Sequence, residues 1–136
     1  MQFIQNNLLL VGLAIISAML LLWPWISRLM GGAKQVDTLE AVQKINHNDA
    51  LIIDVREPAE VAQGKIARAK LIPLGELKNR IGELEKHKTK PIIMVCRSGS
   101  RSAGACGILR KEGFSEVYNL AGGMIAWQQS NLPVEK

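Results

Sequence analysis

The distribution of apolar and polar positions divides the chain near residue 27. From Met1 to Ser27 no side chain is charged, and Leu8 to Ile26, LLLVGLAIISAMLLLWPWI, is a continuous apolar stretch. As a helix it is long enough to cross a hydrocarbon layer of roughly 30 Å. Trp23 and Trp25 stand at its end, where amphipathic rings favour a membrane interface. A secretory signal would have a basic start and a shorter apolar region, and Met1 to Asn7 holds no Lys or Arg. The stretch is therefore read as a membrane anchor. Arg28 and Lys34 follow it and nothing basic precedes it, which predicts that the following domain faces the cytoplasm.

Beyond the anchor, short apolar runs alternate with helical stripes. The pattern predicts a strand over Gln35–Asp37, then a helix capped by Asp37 with Glu40 in its first turn. Leu39, Val42 and Ile45 form the inner face of that helix. A second strand covers Leu51–Val55. Glu57–Gln63 reads as helical, with Pro58 in its first turn and Gly64 at its end, and Lys70–Ile72 as a short strand. Over Gly75–His87 the residues Leu77, Ile81 and Leu84 recur at helical spacing, which predicts an amphipathic helix against a sheet. Ile92–Val95 has no polar residue and reads as a central strand buried on both faces. A helix carrying Ala105, Ile108 and Leu109 follows and is closed by Gly113. Glu116–Asn119 makes the last strand and Gly122–Gln129 the last helix, with Trp127 in the core. Gly104 and Gly107 weaken the helix they occupy by about 1 kcal/mol each, which predicts close approach of helix to sheet there. Repeated strand and helix units of this kind indicate an α/β fold with a mainly parallel sheet.

Charge narrows the partners. The formal charge of the 136 residues is +5, but the cations are scattered, without the interleaved aromatics that bind single-stranded nucleic acid. Nucleic acid is therefore not an expected partner, and anionic lipid and an anionic substrate account for the excess. His47 falls in a polar turn and His87 in a charged run, both read as solvated. With two cysteines, no Cys-x2-Cys pair and no histidine cluster, neither a metal nor a cofactor is implied.

The candidate chemistry lies between Pro91 and Glu112, PIIMVCRSGSRSAGACGILRKE. Cys96 stands at the carboxyl end of the central strand, ahead of a tight loop, Arg97, Ser98, Gly99, Ser100 and Arg101, and a helix N-terminus. In open α/β sheets ligands bind at such a place. The helix terminus and arginines lower a thiol pKa from about 8.5 and so raise the thiolate fraction. Successive loop N–H groups turned inward cradle an anion; Arg97 and Arg101 add cationic forks. A nucleophilic sulfur in an anion cradle implies a small oxyanion substrate, provided that the loop stays curled and the thiol is not sealed beneath side chains. Cys106, on a helix of small residues, reads as a structural core thiol.

Loop length separates two chemistries. Cysteine phosphatases carry Cys-x5-Arg, whereas here the spacing is Cys-x4-Arg and the next position is Ser102. The loop resembles that of the rhodanese (thiosulfate sulfurtransferase) family. Ile53-Asp54-Val55-Arg56-Glu57-Pro58, followed by Gly64, Ile66, Ala69 and Ile72-Pro73, is similar to that family's first signature, with Lys65 where histidine is common. Leu120-Ala121-Gly122-Gly123-Met124-Ile125-Ala126-Trp127 is similar to its last. The resemblance implies a single rhodanese-like domain with a five-stranded, mainly parallel sheet and helices on both faces. It also implies sulfur transfer through a Cys96 persulfide, with Arg97, Ser98, Gly99, Ser100 and Arg101 holding the anionic donor and a thiol or cyanide accepting the sulfur. Asp54 and Arg56 would brace the site.

The organisation expected is a short extracytoplasmic segment, 1–7, a transmembrane helix, 8–26, a linker, 27–34, a rhodanese-like domain, 35–132, and a tail, 133–136. The alternative is a membrane-bound scaffold that chiefly binds other membrane proteins. Gly12 and Ala14 are small enough for helix contacts, which is a weak signal.

Overall fold

The computed structural model describes residues 1–29 and 33–136, with only the backbone at 27–29. The linker expected over 27–34 thus lies, at 30–32, outside the described residues. The chain forms two compact units, 1–32 and 33–136.

In the first unit a short helix α1, Gln2–Asn6, precedes α2, Leu8–Leu29. The second helix continues through Pro24. Its segment Leu8–Ile26 is long and apolar enough to cross a membrane, and none of it is buried within the protein. Leu9 and Leu21 remain 82% and 78% exposed, which is costly in water and favourable in lipid.

The second unit is a five-stranded sheet in the order β1-β5-β4-β2-β3, with every pairing parallel. The strands are β1, Lys34–Val36; β2, Leu51–Asp54; β3, Lys70–Leu71; β4, Ile92–Val95; and β5, Val117–Leu120. The helices are α3, Thr38–Asn48; α4, Pro58–Val61; a 3₁₀ helix, Leu74–His87; α5, Ser100–Lys111; and α6, Gly123–Gln129.

Strand periodicity sorts the core into two layers. Ile53, Val55, Ile92, Met94, Cys96 and Val117 pack with Leu77, Ile81 and Leu84 of the 3₁₀ helix and Ala105, Cys106 and Leu109 of α5. Ile52, Ile93, Val95 and Leu120 pack on the other face with Ala41 of α3 and Met124 and Trp127 of α6. β4 is buried at all four positions because a layer covers each of its faces.

Several expectations need correction. Val42 and Ile45 pack on the sheet and Asp37 caps α3, accepting from the Glu40 N–H at 2.8 Å, but Leu39 is 67% exposed and Ala41 takes its place, because Ala41 stands one helical turn before Ile45 and Leu39 does not. The amphipathic segment Leu74–His87 is a 3₁₀ helix rather than an α-helix. Leu74 and Leu77, and Ile81 and Leu84, are three apart, the spacing that eclipses side chains in that geometry. Methyl groups at Gly104 and Gly107 would meet no atom within 4 Å, so neither glycine marks a close helix–sheet approach. The terminal residues fold back: Glu135 exchanges two 2.8 Å backbone hydrogen bonds with Lys65, and the Trp127 indole donates to the Pro133 carbonyl at 3.0 Å.

Candidate active site

The site forms where β4 ends. Cys96 leaves the strand on the same face as Met94, and the chain then curls through Gly99 into α5. Gly99 has φ +102, and a Cβ there would lie 3.4 Å from both Gly122 N and Leu120 O, so the curl requires glycine. The curl aims its donors at the sulfur. Gly99 N–H donates to Cys96 Sγ at 3.0 Å, Ser102 N–H at 3.4 Å and Ser102 Oγ–H at 3.3 Å.

A second turn braces the first. Met124 N–H donates to Cys96 O at 2.9 Å and Ile125 N–H to Arg97 O at 3.1 Å. This contact puts Gly123 at φ +54 with no room for a side chain, since its Cβ would fall 2.3 Å from Cys96 O. The Gly122-Gly123 motif therefore holds the Cys96 loop from behind.

Burial of Cys96 opposes ionisation, but hydrogen bonds from the Ser102 hydroxyl and from the Ser102, Gly99 and Ser98 amides outweigh it and set the thiol below its ordinary pKa. Cys96 itself has 0% exposure, so the thiol does not stand open at the strand end. Its bonded polar neighbours are the loop's own donors, while Arg97, Ser98 and Ser100 are exposed on the loop's outer side. Cys106 differs: burial pushes its thiol up to about 12, which leaves it inert.

The two loop arginines separate. Arg101 Nη1 and Nη2 each donate at 2.8 Å to the Glu60 carboxylate of α4, and that fork holds the Glu60 pKa at about 2. Arg97 is exposed and lines a polar pocket of about 210 Å³ with Glu60, Gln63 and Gln128. Ser98 and Ser100 approach each other, Oγ to Oγ, at 3.5 Å. At the end of β2, Arg56 is paired with Asp54 at 2.7 Å and donates to Gly64 O at 2.8 Å. Their side chains are 7% and 2% exposed, and they engage each other rather than the sulfur.

Three residues at the site escaped the sequence reading. Glu60 carries no signal until the fold brings α4 beside the loop. Ser102 registers in sequence only as the residue after the loop arginine. Asn119 is legible in principle, as the polar residue inside Val-Tyr-Asn-Leu of a buried strand. It is 2% exposed, accepts from Ser102 Oγ, and donates to Gly99 O at 2.9 Å and Gln35 Oε1 at 3.1 Å.

Comparison with known proteins agrees with this geometry. Residues 37–130 match the family described as rhodanese-like domain. A sulfurtransferase of Allochromatium vinosum is 38% identical over 101 residues, covering 74% of this chain and 92% of that one. The putative sulfurtransferase YtwF of Bacillus subtilis is 39% identical over 101 residues, covering 74% and 95%. The crystal structure of a rhodanese-related protein from Thermoplasma volcanium superposes with a TM-score of 0.68 at 29% identity, covering 75% of this chain and 97% of that one.

Proposed function

Because the chain belongs to the rhodanese-like domain family, we propose that it is a membrane-anchored sulfurtransferase that carries sulfur on Cys96. The observation that carries this reading is the convergence of the Gly99 and Ser102 donors on Cys96 Sγ. In the first half-reaction the Cys96 thiolate attacks the outer sulfur of thiosulfate. A new S–S bond forms, the old one breaks, and sulfite leaves with the electron pair, so that Cys96 carries a persulfide. In the second, an acceptor thiolate attacks the outer sulfur of the protonated persulfide. The acceptor leaves as a persulfide and the Cys96 thiolate is restored. Cyanide in the same role leaves as thiocyanate. In the second step the leaving group is the Cys96 thiolate itself, whose charge the Gly99 and Ser102 donors stabilise.

The loop that lowers the thiol pKa also covers the sulfur. Reaction therefore includes a displacement of the exposed side chains Arg97, Ser98 and Ser100, while Gly99, which is buried, and Ser102 keep their bonds to the sulfur. Arg97, with its side pocket, flanks that path, and Arg101, held by Glu60, keeps the rest of the loop in the curl that aims its donors at the sulfur.

In this reading Leu8–Ile26 is the anchor, long and apolar enough to cross a membrane, and Arg28 and Lys34 after it, with nothing basic before it, favour a cytoplasmic catalytic unit, where a thiol stays reduced. The test has two parts. Steady-state kinetics with thiosulfate and a thiol should be ping-pong, and Cys96→Ser should abolish turnover; retained turnover rejects the mechanism. Protease added to inside-out vesicles should cleave the 33–136 unit, and protection there rejects the orientation.

A further inference from the structure

The Ser102 hydroxyl carries one proton and faces three acceptors. Cys96 Sγ lies at 3.3 Å, Gly99 O at 3.2 Å, and Asn119 Oδ1 is also within hydrogen-bond reach. A hydroxyl donates to one acceptor at a time. Gly99 O needs that proton least, because the Ala103 N–H donates to it at 3.1 Å and Asn119 Nδ2 at 2.9 Å. The contest is therefore between the sulfur and Asn119.

The amide of Asn119 cannot turn round to end it. Its nitrogen donates to two oxygens, Gly99 O and Gln35 Oε1, and a flipped amide would set oxygen against oxygen at Gly99 O. The register fixes the same arrangement from the backbone: Asn119 pairs with Gln35 of β1 on one side and Met94 of β4 on the other, two residues before Cys96. Oδ1 is consequently held toward Ser102.

We propose that Asn119 is a positioning residue that competes with Cys96 for the Ser102 proton and so sets how far the thiol ionises. When Cys96 is a neutral thiol, the hydroxyl donates to Asn119. When the sulfur is a thiolate, as before attack on the donor and after loss of the persulfide, the hydroxyl rotates to the sulfur and makes a charge-assisted bond. Asn119 Oδ1 then gives up its donor, which keeps the thiolate less stabilised than its cradle alone would make it. A less stabilised thiolate is the better nucleophile, because nucleophilicity falls with pKa. The charged groups about Cys96 are Arg101 at the head of α5, with Glu60 of α4 paired to it and Asp54 at the end of β2 acting on it, and Cys106 lies on α5. The path through Ser102, Asn119 and Gln35 contains no titratable side chain. The inference rests on the reading of Cys96 as nucleophile.

The test uses the full chain in detergent and the pH dependence of iodoacetamide alkylation at Cys96, read by peptide mass spectrometry. Asn119→Asp makes a stronger acceptor, adds a charge near the sulfur and loses the donor to Gly99 O, so it should raise the Cys96 pKa by about one unit, a tenfold loss of thiolate at a given pH below it, and the share carried by the Ser102 proton is the share that Ser102→Ala removes. Asn119→Ala removes the competitor and should lower the pKa. In a Ser102→Ala background both shifts should shrink by at least about half, and Ser102→Thr, which keeps the hydroxyl, should restore them. A merely structural Asn119 would loosen the loop in both variants and raise the pKa in both. Shifts of the same sign, or shifts unaffected by Ser102→Ala, overturn the proposal. Opposite, Ser102-dependent shifts together with no thiosulfate-derived sulfur on wild-type Cys96 would uphold the proton assignment and reject the sulfurtransferase reading instead.

Discussion

Glu60 on α4 grips Arg101 at the head of α5 through two parallel 2.8 Å hydrogen bonds. The pair ties the first motif of the domain, at the end of β2, to the nucleophile loop at the end of β4. An arginine held in this way is a fixed strut of the loop, with its charge largely neutralised.

Glu60→Gln should therefore loosen the loop more than it unfolds the domain. Both partners are about one-third exposed, at 33% and 36%, so solvent screening limits the pair to about 1 kcal/mol or less. Sulfur transfer should fall several-fold while the melting temperature drops by only a few degrees. The Glu60 pKa is depressed on folding, from 4.5 to about 2, so its contribution is fully present above pH 4.5 and lost as pH falls toward 2. Thermal melts of wild type and Glu60→Gln across that range should converge at the acid end; a gap that stays constant with pH would contradict the assignment.

Asp54 and Arg56 form the buried counterpart. Asp54→Ala leaves the Arg56 guanidinium, 7% exposed, without its carboxylate, and removing one partner of a buried pair costs about 3–5 kcal/mol. Urea unfolding should show that loss, with the alkylation pH profile of Cys96 little changed if the pair braces the fold rather than the sulfur.

Gly104→Ala and Gly107→Ala should each stabilise the domain by about 0.5–1 kcal/mol, because an added methyl meets no atom within 4 Å at either position. Their effects should add in the double variant, read as a shift in denaturant midpoint without change in slope. A loss of stability would mean that α5 approaches a neighbour more closely than described.

Gly123→Ala should do the reverse. Its Cβ would press on Cys96 O from 2.3 Å at a backbone φ of +54, so the turn behind the nucleophile must move. A cost above about 2 kcal/mol is expected, and the Cys96 alkylation rate should change with it. Unaltered alkylation would show that this turn does not support the loop.

The architecture was legible because its signals are strong and local. The apolar run of β4, the Asp37 cap and the tight loop at Gly99 each impose one backbone outcome, and the three motifs resembling the rhodanese family set their order. Side-chain partnership was less legible. Nothing in the spacing Cys96 to Arg101 announces that Glu60, 41 residues earlier, takes the guanidinium, because that contact exists only once β2 and β4 lie side by side. Leu39 was misplaced because, at about 100° per residue, six positions set it about 120° round the helix from Ile45, whereas Ala41 lies four positions away on the same face. Asn119 was the neglected clue: a polar residue in a strand whose neighbours are apolar must find partners, and its partners lie at the nucleophile.

The central claim is that Cys96 carries sulfur between two half-reactions, and the most direct measurement is the intact mass of the full chain before and after exposure to thiosulfate. A gain of one sulfur atom, mapped to Cys96, discharged by a thiol and absent from Cys96→Ser, is the predicted result. No gain in the wild type, or the same gain in Cys96→Ser, would contradict it.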